Sequence, residues 1–189
     1  MRTELSYYRQ KIIEFFCDLI TLFSVDKLFI SAHIERENNK YIKTNWGDDL
    51  NLYLLEIISH KKIVIKNKSW LFCHLPLNSY SCIGSILGFY NDKRIIVWGS
   101  GFISSTKTIN YPPQKIISVR GKLTKQRLEK LGIECPTKYG DPALLISRFY
   151  RPKVQKKYEI GIVLHISDEN NRIIKELASR QKNLLIIIN

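Results

Sequence analysis

The sequence predicts an α/β protein built on a parallel sheet, and three observations carry that expectation. Short apolar strands alternate with helical stretches along most of the chain. The runs 62–65, 94–98 and 115–119 have the length and apolar content of buried parallel strands. The turn Gly99-Ser-Gly-Phe directly follows one of these runs, where open α/β sheets carry their ligand-binding loops.

The elements follow in order. Apolar residues at 12, 13, 15, 16, 19, 20, 22 and 23 predict a helix with a broad buried face. Residues 27–34 read as a strand and 35–40 as a polar loop. Apolar positions 50, 52, 54, 55, 57 and 58 predict a helix that starts near Asp48 and Asp49, since acidic residues favour that end of a helix. Strands are expected at 62–65, 70–73, 94–98 and 115–119, a helix or turn at 81–87, and a helix at 123–131. Residues 1–150 then form a first domain and the basic, Pro152-containing stretch 151–157 a linker. Residues 158–189 read as the start of a second α/β domain, with strands at 158–166 and 184–188 around a helix at 169–180. One β-α-β unit is too small to fold by itself, and the run Leu184-Leu-Ile-Ile-Ile is typical of a strand needing further neighbours, so a truncated second domain is expected, the alternative being a unit that docks on the first domain and extends its sheet.

Composition agrees with a globular chain. Of the 189 residues 44% are hydrophobic and 25% charged, which excludes disorder as the default reading. The formal net charge of +13 attracts anions, so phosphorylated metabolites, anionic glycolipid head groups and nucleic acid all match its sign. The basic residues are spread along the chain with no nucleic-acid-binding signature, and no nucleic acid partner is expected. Cys17, Cys73, Cys82 and Cys135 form neither a C-x-x-C pair nor a regular disulfide spacing, which fits reduced thiols and a cytoplasmic location. The apolar stretch 12–25 is interrupted by Glu14 and Asp18 and is too short to span a bilayer, and packing against the rest of the protein is expected of it in preference to membrane contact.

Several phrases carry candidate chemistry. Asn45-Trp-Gly-Asp-Asp opens a helix, where backbone N–H groups point outward and Gly47 allows a ligand close, although a capped helix start explains the same residues. Gly99, Ser100 and Gly101 form a turn able to cradle a phosphate or carboxylate, or simply a turn the fold requires. Arg120 stands at a strand end, where a guanidinium can grip a carboxylate or phosphate through two hydrogen bonds, with Lys122 and Lys125 adding charge. Asp141, before Pro142, bonds local backbone or a sugar hydroxyl. His33, His60 and His74 have no metal-ligand spacing and read as structural or surface groups, whereas His165 ends the strand of the second unit.

Taken in order, Asn45-Trp-Gly-Asp-Asp-Leu-Asn-Leu-Tyr-Leu-Leu, Ile83-Gly-Ser-Ile-Leu, Val97-Trp-Gly-Ser-Gly-Phe, Val119-Arg-Gly-Lys-Leu-Thr, Tyr139-Gly-Asp-Pro-Ala-Leu-Leu and Ile160-Gly-Ile-Val-Leu-His resemble the polysaccharide pyruvyl transferase family. The resemblance implies a Rossmann-like domain of a glycosyltransferase-B-like architecture, with phosphoenolpyruvate bound between two α/β domains. It implies transfer of pyruvate to a sugar of a cell-surface polysaccharide or lipopolysaccharide as a ketal, with no metal or organic cofactor. The implied partners are phosphoenolpyruvate and a glycan or glycolipid acceptor, with peripheral contact at the inner face of the cytoplasmic membrane. On this reading Asp48, Asp49 and His165 are the catalytic candidates; Asn45, Gly47, Gly99, Ser100, Gly101, Arg120 and Asp141 bind substrate. The family's Ser-rich phrase ending in His-Gly, whose histidine is the general acid, does not occur in the chain, so a truncated form that is almost silent or inactive is expected. A nucleotide-sugar glycosyltransferase and a basic, non-catalytic binding module are the alternatives.

Overall fold

The computed structural model describes residues 2–24, 26–42, 45–90, 92–164, 168, 170–180 and 183–188. The chain divides into two compact units, residues 1–149 and 150–189.

The first unit opens with helix α1 (Arg2–Phe23), followed by strand β1 (Lys27–Ile30), a hairpin of β2 (Glu35–Glu37) and β3 (Lys40–Ile42), and helix α2 (Trp46–Ser59). Strand β4 (Lys62–Ile65), a 3-10 turn, the short helix α3 (Trp70–His74) and strand β5 (Ser79–Ser81) come next. Strands β6 (Ile95–Trp98) and β7 (Lys115–Ser118), helix α4 (Lys122–Lys130), a 3-10 turn over Pro142–Leu145 and helix α5 (Ile146–Phe149) complete the unit. The second unit holds β8 (Ile160–Leu164), α6 (Arg172–Arg180) and β9 (Leu184–Ile188), with β8 and β9 paired in parallel.

The main sheet has the order β4-β1-β5-β6-β7 and its pairings are parallel. Strand β1 therefore lies between β4, the next strand to join, and β5. The chain winds in opposite directions from this point, leaving a crevice outside the carboxyl ends of β1 and β5. On one face Ile30, Ile63 and Ile65 pack with Leu50, Leu54 and Leu55 of α2, and on the other Phe29 and Val64 meet Phe72 of α3. A separate cluster, with Val97, Val119 and Leu128 at its centre, fixes α4 against β6.

Four expectations need correction. The strand at 27–34 ends at Ile30, because from Ala32 on the backbone is held by a side chain: Asn67 donates Nδ2–H to the Ala32 carbonyl and accepts the Ala32 N–H on Oδ1. Residues 35–40 are not a plain loop but most of a hairpin, turned by Asn38 and Asn39 at φ 47° and 63°. Two consecutive left-handed residues match the right-handed twist of paired strands, and asparagine tolerates that conformation well. Residues 70–73 lie in helix α3 rather than a strand, because the Ser69 hydroxyl accepts the Phe72 N–H as an N-cap. The first helix forms but does not bury the broad apolar face expected of it, because Glu14 and Asp18 turn inward and leave Ile12, Ile13, Phe16, Ile20 and Phe23 exposed. Residues 81–87, expected as a helix or turn, take the second form, with bends and a turn after the end of β5.

Candidate functional site

Two helix starts converge on the carboxyl edge of the sheet. At the start of α2, Asn45 accepts the N–H groups of Gly47 and Asp48 on Oδ1, closing the first turn. The buried Asn51 amide ties this turn to the exit of β5: Nδ2 donates to the carbonyls of Asp48 and Ile83, and Oδ1 accepts the Ile83 N–H. These bonds seat the Asp48 carboxylate beside Gly84, where a Cβ would lie 3.3 Å from Oδ1. Burial raises the Asp48 pKa above its ordinary 3.8, the neighbouring His33 works against that shift, and the charge of Asp49 adds to it. Tyr90 donates its hydroxyl to the Ala32 carbonyl, and its pKa is pushed up to about 12, first by burial and then by the charges of Asp48 and Glu35. His33, Asp48 and Tyr90 thus gather at the crevice where the strand order reverses.

The second convergence is basic. Arg120 follows β7, its backbone N–H bonded to the Ser100 carbonyl, and its guanidinium donates to the Phe102 carbonyl at 3.4 Å. The helix start that follows has Gly121 at its N-cap and no side-chain cap. Its first-turn N–H groups add the positive end of the α4 dipole to Arg120 and Lys122. Gly101 links the two groups of residues. Its N–H donates to the Gly84 carbonyl, while on its other side a Cβ would meet Thr124 Oγ1 at 2.8 Å and Arg120 Nε at 3.1 Å.

The structure corrects the reading of the glycine turn. Gly99 and Gly101 cannot offer their N–H groups to an anion, because these are bonded to the carbonyls of Ser118 and Gly84. Gly99, at φ 96°, instead leaves room for the Pro142 ring and for the Gly140 carbonyl, 2.7 Å from where its Cβ would stand. Ser100 is fully buried, with its hydroxyl 2.7 Å from that of Ser81. Asp141 accepts the Ala143 N–H and caps the 3-10 turn. Its charge, together with the larger effect of burial, pushes the Cys82 thiol up to about 12. Gly47 sits in the first turn of α2, Asp49 beside Asp48 on the same turn, and His165 lies outside the described residues. Asn45, Asp48 and Arg120 therefore share one edge, and Ser100 supports it from below.

Sequence reasoning missed His33 and Tyr90. Both belong to loops whose neighbours are distant in the chain, and the only local signal was the position of His33 just beyond a buried strand. Among the described residues no group of three or more His, Cys, Asp or Glu side chains is arranged to hold a metal ion.

A family model described as polysaccharide pyruvyl transferase matches residues 28–188, from β1 to the end of β9. The chain belongs to the polysaccharide pyruvyl transferase family. No curated protein and no solved structure gives a significant match. Within this pyruvyl transferase fold the parallel sheet is consistent with a Rossmann-like domain. No helix among the described residues is long and apolar enough to cross a membrane.

The cap reading of Asn45 in this transferase has a direct consequence. Asn45→Ala should lower stability by about 1 kcal/mol in denaturant titration, and Asn45→Asp should restore it. A residue that only contacted ligand would leave the unfolding midpoint unchanged in both variants.

Proposed function

We propose that the chain transfers the pyruvyl group of phosphoenolpyruvate to a sugar of a cell-surface polysaccharide or lipopolysaccharide, forming a ketal. The family match over residues 28–188 carries this reading. In the proposed reaction a proton is delivered to the methylene carbon of the enol, and a sugar hydroxyl attacks C2 as its own proton leaves. Loss of inorganic phosphate then opens C2 to a second hydroxyl of the same sugar, so donor and diol become ketal and phosphate. These reactants balance without a metal or organic cofactor.

The residues divide between the two helix starts. Arg120 grips the phosphate or carboxylate of the donor, helped by Lys122 and the uncapped start of α4. Asp48, with its raised pKa, takes the hydroxyl proton, and Asp49 and His33 set its charge environment. We place these residues in the first domain of a glycosyltransferase-B-like architecture.

Calorimetric titration with phosphoenolpyruvate tests the proposal. Saturable binding is expected, and Arg120→Ala should weaken it roughly 10- to 100-fold, the worth of hydrogen bonds to a charged group. Binding of a nucleotide sugar with indifference to phosphoenolpyruvate, or equal affinity in the variant, would overturn it.

A further inference from the structure

Helix α1 turns two carboxylates inward, beside the half-buried Phe15, Leu19 and Leu22. Glu14 and Asp18 are buried, at 8% and 4% exposure. Asp18 takes Arg36 through both carboxylate oxygens, at 2.8 and 3.1 Å, and accepts the Ser69 hydroxyl at 2.6 Å. Glu14 pairs with Lys11 at 2.7 Å. The opposite face carries Tyr8, Ile12, Phe16, Ile20 and Phe23, spaced by four, four, four and three residues and more than half exposed, with Phe23 at 80%. Such spacing lays one continuous stripe along a helix. Beside it the exposed Trp70 and Tyr7 line an apolar groove between α1 and α3. An apolar stripe this long, turned away from its own core, marks an interaction surface.

The charges around the stripe select its occupant. Arg9 is exposed on the helix itself. At its far end Lys27 donates to the carbonyls of Leu22 and Ser24 and stands in register with Lys62, which adjoins Lys61. Asp26 is the exposed acidic side chain at that end, while Glu14 and Asp18 are already neutralised by their partners. A chain of net charge +13 repels its own copies and is drawn to anionic surfaces. Aromatic and aliphatic residues along one helix face, flanked by lysine and arginine, are the pattern of a helix lying in a bilayer interface.

We propose that the outer face of α1 docks the protein on an anionic lipid bilayer, with Ile12, Phe16, Ile20 and Phe23 entering the head-group region and Arg9, Lys61 and Lys62 meeting lipid phosphates. The proposal stands apart from the ketal chemistry, because it is read without phosphoenolpyruvate. Co-sedimentation with phosphatidylcholine vesicles, with and without phosphatidylglycerol, tests it. Binding is expected only with the anionic lipid and should weaken at high salt. Phe16→Glu combined with Ile20→Glu should lower it about tenfold or more, with the circular dichroism spectrum preserved. Lys61→Glu with Lys62→Glu, away from the stripe, should lower it as well, which keeps the test decisive if the first variant misfolds. Absence of vesicle binding, binding indifferent to both double variants, or a stable dimer split by Phe16→Glu and Ile20→Glu without vesicle binding would each overturn the proposal.

Discussion

Asp48→Asn is expected to slow phosphate release from phosphoenolpyruvate in the presence of acceptor by roughly 100-fold or more, the usual contribution of a positioned general base. The substitution keeps the size of the side chain and the Asn45 cap of the helix, so stability should change little. The loss follows from chemistry: an amide cannot take the hydroxyl proton. The pH profile supplies the sign. Burial raises the Asp48 pKa above 3.8, and the reactive form is the carboxylate. Activity of the unaltered chain should therefore fall as pH drops through that raised value, giving an acidic limb that the Asn variant lacks. A variant with the same limb would assign it to another group.

The largest structural effect is expected at Lys66. This side chain follows β4 and is 4% exposed, yet it is charged. Its Nζ lies 2.9 Å from Asp92 and 2.6 Å from the Leu77 carbonyl, and Asp92 also accepts the Ser79 hydroxyl at 2.7 Å and the Arg94 N–H at 3.0 Å. Removing one partner leaves the other charge stranded in the interior, so Asp92→Ala should cost about 3–5 kcal/mol in denaturant titration. Replacing both by apolar residues of similar volume should recover much of that loss. Burial alone would raise the Asp92 pKa, but the bonds from Lys66, Arg94 and Ser79 outweigh it and hold it below 3.8. A depressed folded-state value means the pair stabilises the protein above pH 3.8 and that this contribution disappears as pH falls through the lower, folded value. The Asp92→Ala variant should lack that acid-induced loss.

Legibility of the fold followed side-chain size. Strands β4, β6 and β7 were readable because they are short runs of large apolar residues between turns. Strand β5 was not, since Ser79 and Ser81 are small and polar and are buried through hydroxyl contacts with Ser31 and Ser100. The run 70–73 misled because four apolar residues do not separate period 2 from period 3.6, and only Ser69 in front of them signalled a helix. The paired asparagines 38 and 39 were a hairpin signal that went unread. At the site, Asn45, Asp48 and Arg120 were visible as polar residues at element boundaries. The inward turn of Ser100 and the approach of His33 and Tyr90 were not, because both depend on how loops from separate strands fit together.

That fit has a further consequence at Gly99. With no side chain there, the Pro142 ring closes onto the turn after β6, while the Gly140 N–H bonds to the Val119 carbonyl next to Arg120. Three loops are thereby interlocked, and the backbone that carries Arg120 is held from two sides. Backbone freedom that a looser rim would have to surrender is thereby already spent on folding, so on the proposed reading the rim contributes a smaller entropic penalty to binding.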